Sequence, residues 1–158
     1  MDELARRLGR LLRRKRQKLV TAESCTGGWA AQAVTAIAGS SDWFERGFIT
    51  YSNEAKRELL GVSGSTLKKF GAVSEETARE MARGALRRGR GSIALSITGV
   101  AGPGGGSRAK PVGMVCFGWA KRGTLRSETR HFRGDRRSVR RQSVVHALKG
   151  VIALLDAG

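Results

Sequence analysis

Residues 18–38 read KLVTAESCTGGWAAQAVTAIA, and the way this stretch divides decides the fold. Its opening, KLVTA, is a short β-rich run, and its close, WAAQAVTAIA, is alanine-rich and helix-favouring. The intervening ESCTGG ends in two glycines. The stretch therefore reads as a strand over 18–22, a turn, and a helix over about 27–38. A turn of this kind brings backbone N–H groups and the positive end of a helix dipole beside any nucleophile it carries. It holds Ser24, Cys25 and Thr26 in succession, which makes it a site candidate without yet defining a chemistry.

The same alternation of period continues on both sides of this unit. Leu4, Leu8, Leu11 and Leu12 recur at helical spacing, so 3–16 form an amphipathic helix with arginines outward. GFITY (47–51) alternates as a second strand, and SNEAKRELLGV starts a helix. Ser74, followed by Glu75 and Glu76, caps a helix running to about Arg88. SIALSIT (92–98) is the apolar run of a buried central strand. VGMVCFGWA and TLRSETRHF, separated by KRG, read as an antiparallel hairpin. Asp135 caps a last helix that turns Val144, Val145, Leu148, Val151, Ile152 and Leu155 inward. Strands alternating with helices predict an α/β fold, a three-layer α/β/α domain with a mixed, mostly parallel sheet and its site at the carboxyl ends of the strands. With 158 residues and 40% hydrophobic content, a single domain over 1–158 is expected.

Composition narrows the function classes. No run reaches the ~18 apolar residues of a membrane span, and the amino terminus lacks the apolar core of a signal peptide, so a cytoplasmic protein away from membranes is expected. Two cysteines far apart, Cys25 and Cys116, provide neither a disulfide framework nor zinc-ligand spacing; no metal and no cofactor is expected. The net charge of +17 suits a polyanion or a phosphorylated small molecule. Because the arginines are scattered and no RNA-binding aromatic signature interleaves them, a solvated basic face is favoured over nucleic-acid binding.

Two further segments carry possible chemistry. TGVAGPGGGSRAKPVG (98–113) lacks both the lysine placement of a Walker A loop and the spacing of a dinucleotide motif, and leads into a strand rather than a helix, which disfavours nucleoside triphosphates. Its glycines could bring N–H groups close to an anion or carbonyl oxygen; equally, the segment could be a plain crossover. In TYSNEAK, Lys56 falls near the first turn of a helix, where the dipole, and burial if it is partly enclosed, disfavour its charge and would make it a readier base, with Tyr51 nearby as proton relay. The plainer alternative, favoured on these residues alone, is an exposed lysine paired with Glu54 or Glu58. His131 and His146 form no recognisable pairing with Ser24 or Cys25, which leaves a lysine-activated serine as the economical nucleophile.

Taken in order, AESCTGG, GSSDWFERGFITYSNEAKRELLGV, GAVSEETA, ITGVAGPGGG, KPVG and GDRRSVRRQ resemble the carboxyl-terminal domain family of the competence-damage protein CinA, from about residue 4 to 155. The family's stand-alone members are nicotinamide-nucleotide amidases. The resemblance implies hydrolysis of nicotinamide mononucleotide to nicotinic acid mononucleotide and ammonia, in pyridine-nucleotide recycling, through a serine acyl-enzyme. It implies Ser24 as nucleophile with Tyr51 and Lys56 as its catalytic partners. It also implies a substrate pocket of Thr26, Gly27, Ser41, Thr98, Gly99, Gly102, Gly104 and Gly105 with one arginine of the GDR block, where Arg136, Arg137, Arg140 and Arg141 crowd together and Arg140 is the first choice. Cys25 is left as a packed small side chain. No molybdopterin-type segment precedes Leu4, so the stand-alone form is expected. The expected partner is the nucleotide substrate, with no membrane or nucleic acid, and a homodimer the first assembly to consider. The rival readings are a basic nucleotide- or nucleic-acid-binding module without catalysis, and an amidase that uses Cys25.

Overall fold

The computed structural model describes residues 1–158. Helix α1 (Asp2–Arg14) buries Ala5, Leu8, Leu11 and Leu12, with Asp2 and Glu3 in its first turn and Arg13 and Arg14 in its last, the charge order a helix dipole favours. Strand β1 (Leu19–Glu23) is buried along its whole length. It leads to the short helix α2 (Trp29–Thr35), a 3₁₀ turn at Ser40–Asp42, and strand β2 (Phe44–Ile49). Helices α3 (Asn53–Leu60), α4 (Gly64–Phe70) and α5 (Glu75–Arg88) follow. Strand β3 (Ile93–Gly99) then precedes the hairpin of β4 (Met114–Lys121) and β5 (Thr124–His131), and helix α6 (Arg136–Asp156) closes the chain.

The five strands form one mixed sheet in the order β2-β1-β3-β4-β5. β1 pairs in parallel with both β2 and β3, while the β3–β4 and β4–β5 pairings are antiparallel, so only β4 runs against the other four. Helices α1, α2 and α6 cover one face, where Leu8, Leu12, Leu19, Trp43, Ile97, Phe117 and Leu148 belong to the main core. Helices α3, α4 and α5 cover the other, over Val20, Ala22, Leu60, Met81 and Ala94. This is the three-layer α/β/α arrangement read from the sequence. β1 exits toward α2 on the first face and β2 exits toward α3 on the second. The crevice between their carboxyl ends is thus the topological switch point at which open α/β sheets bind ligands.

The caps agree with the sequence at Ser74, which accepts from Thr77 N–H, and at Asp135, which accepts from Ser138 N–H. Four details differ. The helix expected from residue 27 begins at Trp29 and ends at Thr35, because Gly27 and Gly28 adopt φ of +59° and +108°, outside helical space. Strand β2 begins at Phe44, three residues before the expected GFITY. Helix α4 has no signal in the sequence: GSTLKKF presents one buried leucine, Leu67, too little apolar periodicity to announce it. Val145 lies half-buried on the flank of α6 rather than in the core.

The α3–α5 contact is unusually close. A Cβ on Gly84, inside α5, would stand 1.9 Å from the carbonyl oxygen of Leu60 at the end of α3. In a free helix, alanine in place of glycine gains about 1 kcal/mol. Here the Gly84→Ala substitution is expected instead to cost about 1–3 kcal/mol by forcing α3 away, read as a lower denaturant midpoint at unchanged m-value. A stabilised variant would contradict this close approach.

Candidate active site

The turn after β1 is organised by Glu23, a carboxylate only 1% exposed. Its Oε1 accepts from Thr26 Oγ1 at 2.6 Å and from the Ala30 N–H at 2.8 Å, and its Oε2 accepts from the Ala31 N–H at 3.1 Å. Glu23 is the residue that sequence reasoning missed; an acid at a strand end, three residues before a threonine and just ahead of a helix, was its signal. It corrects two expectations. Thr26, itself fully buried, uses its hydroxyl on Glu23 rather than on a pocket. The first amides of α2 face this carboxylate and not Ser24, so the field of that helix end is already matched by a fixed anion.

Side chains alternate along a strand, so Glu23 points toward α2 and Ser24 toward α3. Ser24 N–H donates to Ile97 O, and Gly27 N–H donates to Ser24 O; the amides of Cys25 and Thr26 between them have no acceptor in the protein. From the opposite side Arg140, on α6, donates from Nε to Cys25 O and from Nη2 to Thr26 O, both at 3.0 Å, and stacks over the ring of Trp29. The turn is held at both edges.

Lys56 reaches Ser24 from α3, 32 positions on. The residue is 1% exposed, and its amine lies 3.0 Å from Ser24 Oγ, 2.8 Å from Thr50 O and 3.3 Å from Tyr51 O. Glu54 and Glu58, the partners of the plainer sequence reading, are exposed on the outer side of the helix. Burial holds the Lys56 amine below the ordinary lysine range, because a low-dielectric surround disfavours its charged form. The direction is the one expected, and burial, one of the two causes expected for it, is the largest.

The other expected residues are placed as follows. Tyr51 supplies its carbonyl to Lys56, while its ring is 63% exposed and its Oη accepts from Arg136 Nη2 at 3.3 Å. Its hydroxyl is therefore directed to an arginine and not to the lysine. Arg136 Nη1 also donates to Gly102 O at 2.8 Å, tying the glycine loop to α6 across a cleft of about 510 Å³ lined by Ala101, Pro103, Val112 and Arg137. Gly104 and Gly105 lie exposed on this loop. Gly99 instead serves the β3–β4 pairing, where a Cβ would stand 2.9 Å from Met114 O. Thr98 is buried and donates to Ala72 O at 2.8 Å. It still neighbours Ser24, because the Glu23↔Ile97 register continues by one residue. Ser41 is not brought to this cluster: it sits exposed in the 3₁₀ turn before β2, at the opposite end of the parallel strands from Ser24.

Cys25 is 7% exposed, and burial pushes its thiol up to about 12. Burial also raises the fully buried Cys116. Both are inert, protonated thiols at neutral pH. Iodoacetamide at pH 8 is expected to leave the native protein unmodified over a time that alkylates both cysteines in denaturant, as followed by intact mass. Rapid labelling of Cys25 in the native state would contradict its placement.

A buried lysine hydrogen-bonded to a serine can take that serine's proton, and two free amides beside it can receive a developing oxyanion: this is acyl-transfer geometry. The chain is similar to proteins of known name and structure. A relative from Escherichia coli (strain K12), named nicotinamide-nucleotide amidohydrolase PncC, is 52% identical over 93% of this chain and 90% of its own length. One of the same name from Pseudomonas putida is 50% identical over 96% of this chain and 94% of its own. The crystal structure of the competence/damage inducible protein CihA from Agrobacterium tumefaciens superposes with a TM-score of 0.94 at 48% identity, covering 97% of this chain and 94% of that one. With the model of the CinA C-terminal domain matching residues 1–155, the fold, the switch-point site and the sequence converge, and the chain belongs to the CinA C-terminal domain family.

Proposed function

We propose that this protein is a nicotinamide-nucleotide amidohydrolase, converting nicotinamide mononucleotide and water into nicotinic acid mononucleotide and ammonia, a step of pyridine-nucleotide recycling. The activity carries over from relatives about 50% identical across most of the chain. The observation that carries the mechanism is the environment of Lys56 Nζ. Of its three hydrogen-bond partners, two are carbonyl oxygens and can only accept, whereas Ser24 Oγ can donate or accept. A neutral amine has two N–H donors and one lone pair. With its N–H groups on Thr50 O and Tyr51 O, the lone pair is left facing the Ser24 hydroxyl.

In this reading Lys56 takes the Ser24 proton as Oγ attacks the carboxamide carbon, and the oxyanion is received by the amides of Cys25 and Thr26. The lysine ammonium passes the proton to the amide nitrogen, the C–N bond breaks, and ammonia leaves. Water then attacks the acyl-enzyme ester, Lys56 receives its proton, and Ser24 is restored as the acid departs. No metal takes part. Arg140 is engaged with the turn carbonyls and stiffens the nucleophile. Arg136, exposed at the mouth of the cleft, is the better placed arginine to meet the 5′-phosphate, with the glycine loop beside it. Tyr51 is bridged through its hydroxyl to Arg136.

The decisive measurement is ammonia release from nicotinamide mononucleotide in metal-free buffer. Ser24→Ala is expected to abolish it with the fold intact, whereas Cys25→Ala retains most of it. Lys56→Met should lower kcat by about 10² or more, the scale of general acid–base catalysis, and Lys56→Arg nearly as far because a guanidinium cannot accept the proton. An active Ser24→Ala enzyme would end the serine mechanism. The absence of any ammonia from the wild-type protein would favour a binding module.

The pH dependence follows from the direction of the Lys56 shift. The neutral amine is the active form, so kcat/KM should rise with pH along a limb that lies below the ordinary lysine range and disappears in Lys56→Met. For the phosphate, Arg136→Gln should raise KM for the mononucleotide far more than it lowers kcat, and free nicotinamide should be a poor substrate for the wild type, since remote binding energy positions the amide. Equal kcat/KM for the two substrates would indicate a general amidase.

A further inference from the structure

Thr50 is fully buried, yet its hydroxyl has no hydrogen-bond partner in the protein. Buried hydroxyls are rarely left so. Thr50 follows β2 directly, and its N–H donates to Glu23 O at 2.8 Å. The register Glu23↔Ile49 thus continues by one residue and stands Thr50 beside Ser24. Its carbonyl makes the shortest contact to Lys56 Nζ. One residue therefore offers the amine a fixed main-chain acceptor and, on the strand end beside that of Ser24, a buried hydroxyl that is unengaged. The other unpartnered buried hydroxyl, Thr21, packs against Gly47 and Ala31 on the opposite face, away from Lys56.

The inference rests on the serine–lysine mechanism above. In the resting enzyme the Ser24 O–H occupies the lone pair of the neutral lysine. Once ammonia has left with that proton, Ser24 Oγ is an ester oxygen with no hydrogen. Lys56 still has its two N–H groups on Thr50 O and Tyr51 O, but its lone pair has lost its donor. We propose that Thr50 is a positioning residue whose hydroxyl turns to donate to Lys56 Nζ in the acyl-enzyme, keeping the amine beside the ester until a water takes over as proton donor. The water then adds to the acyl carbon and gives its proton to Lys56, which delivers it to Ser24 Oγ as the ester C–O bond breaks. Thr50 exchanges no atom; it acts only in the second half-reaction.

Thr50→Val tests this, since valine keeps the shape and removes the hydroxyl. If the hydroxyl had no role beyond packing, losing an unpartnered buried polar group would leave stability equal or higher and kinetics unchanged. The proposal expects an equal or higher melting temperature together with a burst of ammonia approaching one per active site. The steady rate after the burst should be lower by roughly 10-fold or more. Because deacylation alone is slowed, KM should fall with kcat and kcat/KM should hold. Thr50→Ser should restore the wild-type profile. A Thr50→Val enzyme with wild-type kcat and no burst overturns the proposal, as does one whose kcat/KM falls with kcat, which would move the hydroxyl to acylation. Thr50→Ala, which adds no methyl to the amine's surroundings, is measured in parallel; loss of fold in both variants would make the hydroxyl structural and overturn the proposal too. Ser24→Ala separates the two levels: if it stays active the serine mechanism itself fails, whereas an inactive Ser24→Ala beside a normal Thr50→Val removes only the role of Thr50.

Discussion

Glu23 is a carboxylate enclosed at the end of a central strand, and the form of the turn around it follows from the need to satisfy that charge. An unpartnered buried carboxylate would cost several kcal/mol. The chain meets the need by folding back within five residues, so that Thr26, Ala30 and Ala31 all donate to it. Gly27 and Gly28 permit the reversal with their positive φ values, and Arg140 closes it from outside through the carbonyls of Cys25 and Thr26. Fixing Glu23 on the α2 side fixes Ser24 on the other by strand alternation. The residue that stabilises the turn and the serine that meets Lys56 are thus consecutive in sequence and separated by the sheet.

Across the sheet, burial is handled in the opposite way. Glu23 is surrounded by donors that suit an anion, whereas Lys56 is given two carbonyls and one hydroxyl and no carboxylate to pair its charge. The sheet topology allows this: β1 and β2 are adjacent and parallel but leave toward different faces, so α3 can bring its lysine over the end of β1 while α2 stays clear. The Ser52 hydroxyl, accepting from Ala55 N–H, starts α3 where Lys56 falls one turn in. Val62 N–H and Gly61 N–H end it on the carbonyls of Lys56 and Arg57. The close packing of Leu60 against Gly84 then anchors the far end of that short helix to α5.

Much of this was legible in the sequence, for reasons particular residues make plain. Ser74 and Asp135 announced their helices because capping is local chemistry, and SIALSIT announced β3 because a strand buried on both faces leaves an unbroken apolar run. Ser24, Tyr51 and Lys56 could be placed at strand and helix ends. What local reading could not supply was direction. Lys56 could equally have paired with Glu54 or Glu58 on its own helix, and only the tertiary crossing to Ser24 decides between them. The same holds for Tyr51, whose carbonyl rather than its ring meets the lysine, and for Arg140, indistinguishable in sequence from Arg136 yet turned inward to the main chain while Arg136 faces the cleft. Ser41, matched by resemblance, lies a strand's length away, on the order of 15 Å for five residues.

The adjacency of Ser24 and Cys25 shows how environment overrides intrinsic reactivity. A thiol is the stronger nucleophile once ionised, but the alternation that turns Ser24 toward Lys56 turns its neighbour into the apolar side of the turn, where burial pushes the thiol up to about 12. Ser24, with no useful acidity of its own, receives what the thiol lacks: a buried amine 3.0 Å away whose charged form burial disfavours. Exchanging the two side chains would place a thiol beside Lys56 and a hydroxyl in the apolar pocket. The order serine then cysteine, and not merely the presence of both, decides which of the two side chains meets Lys56.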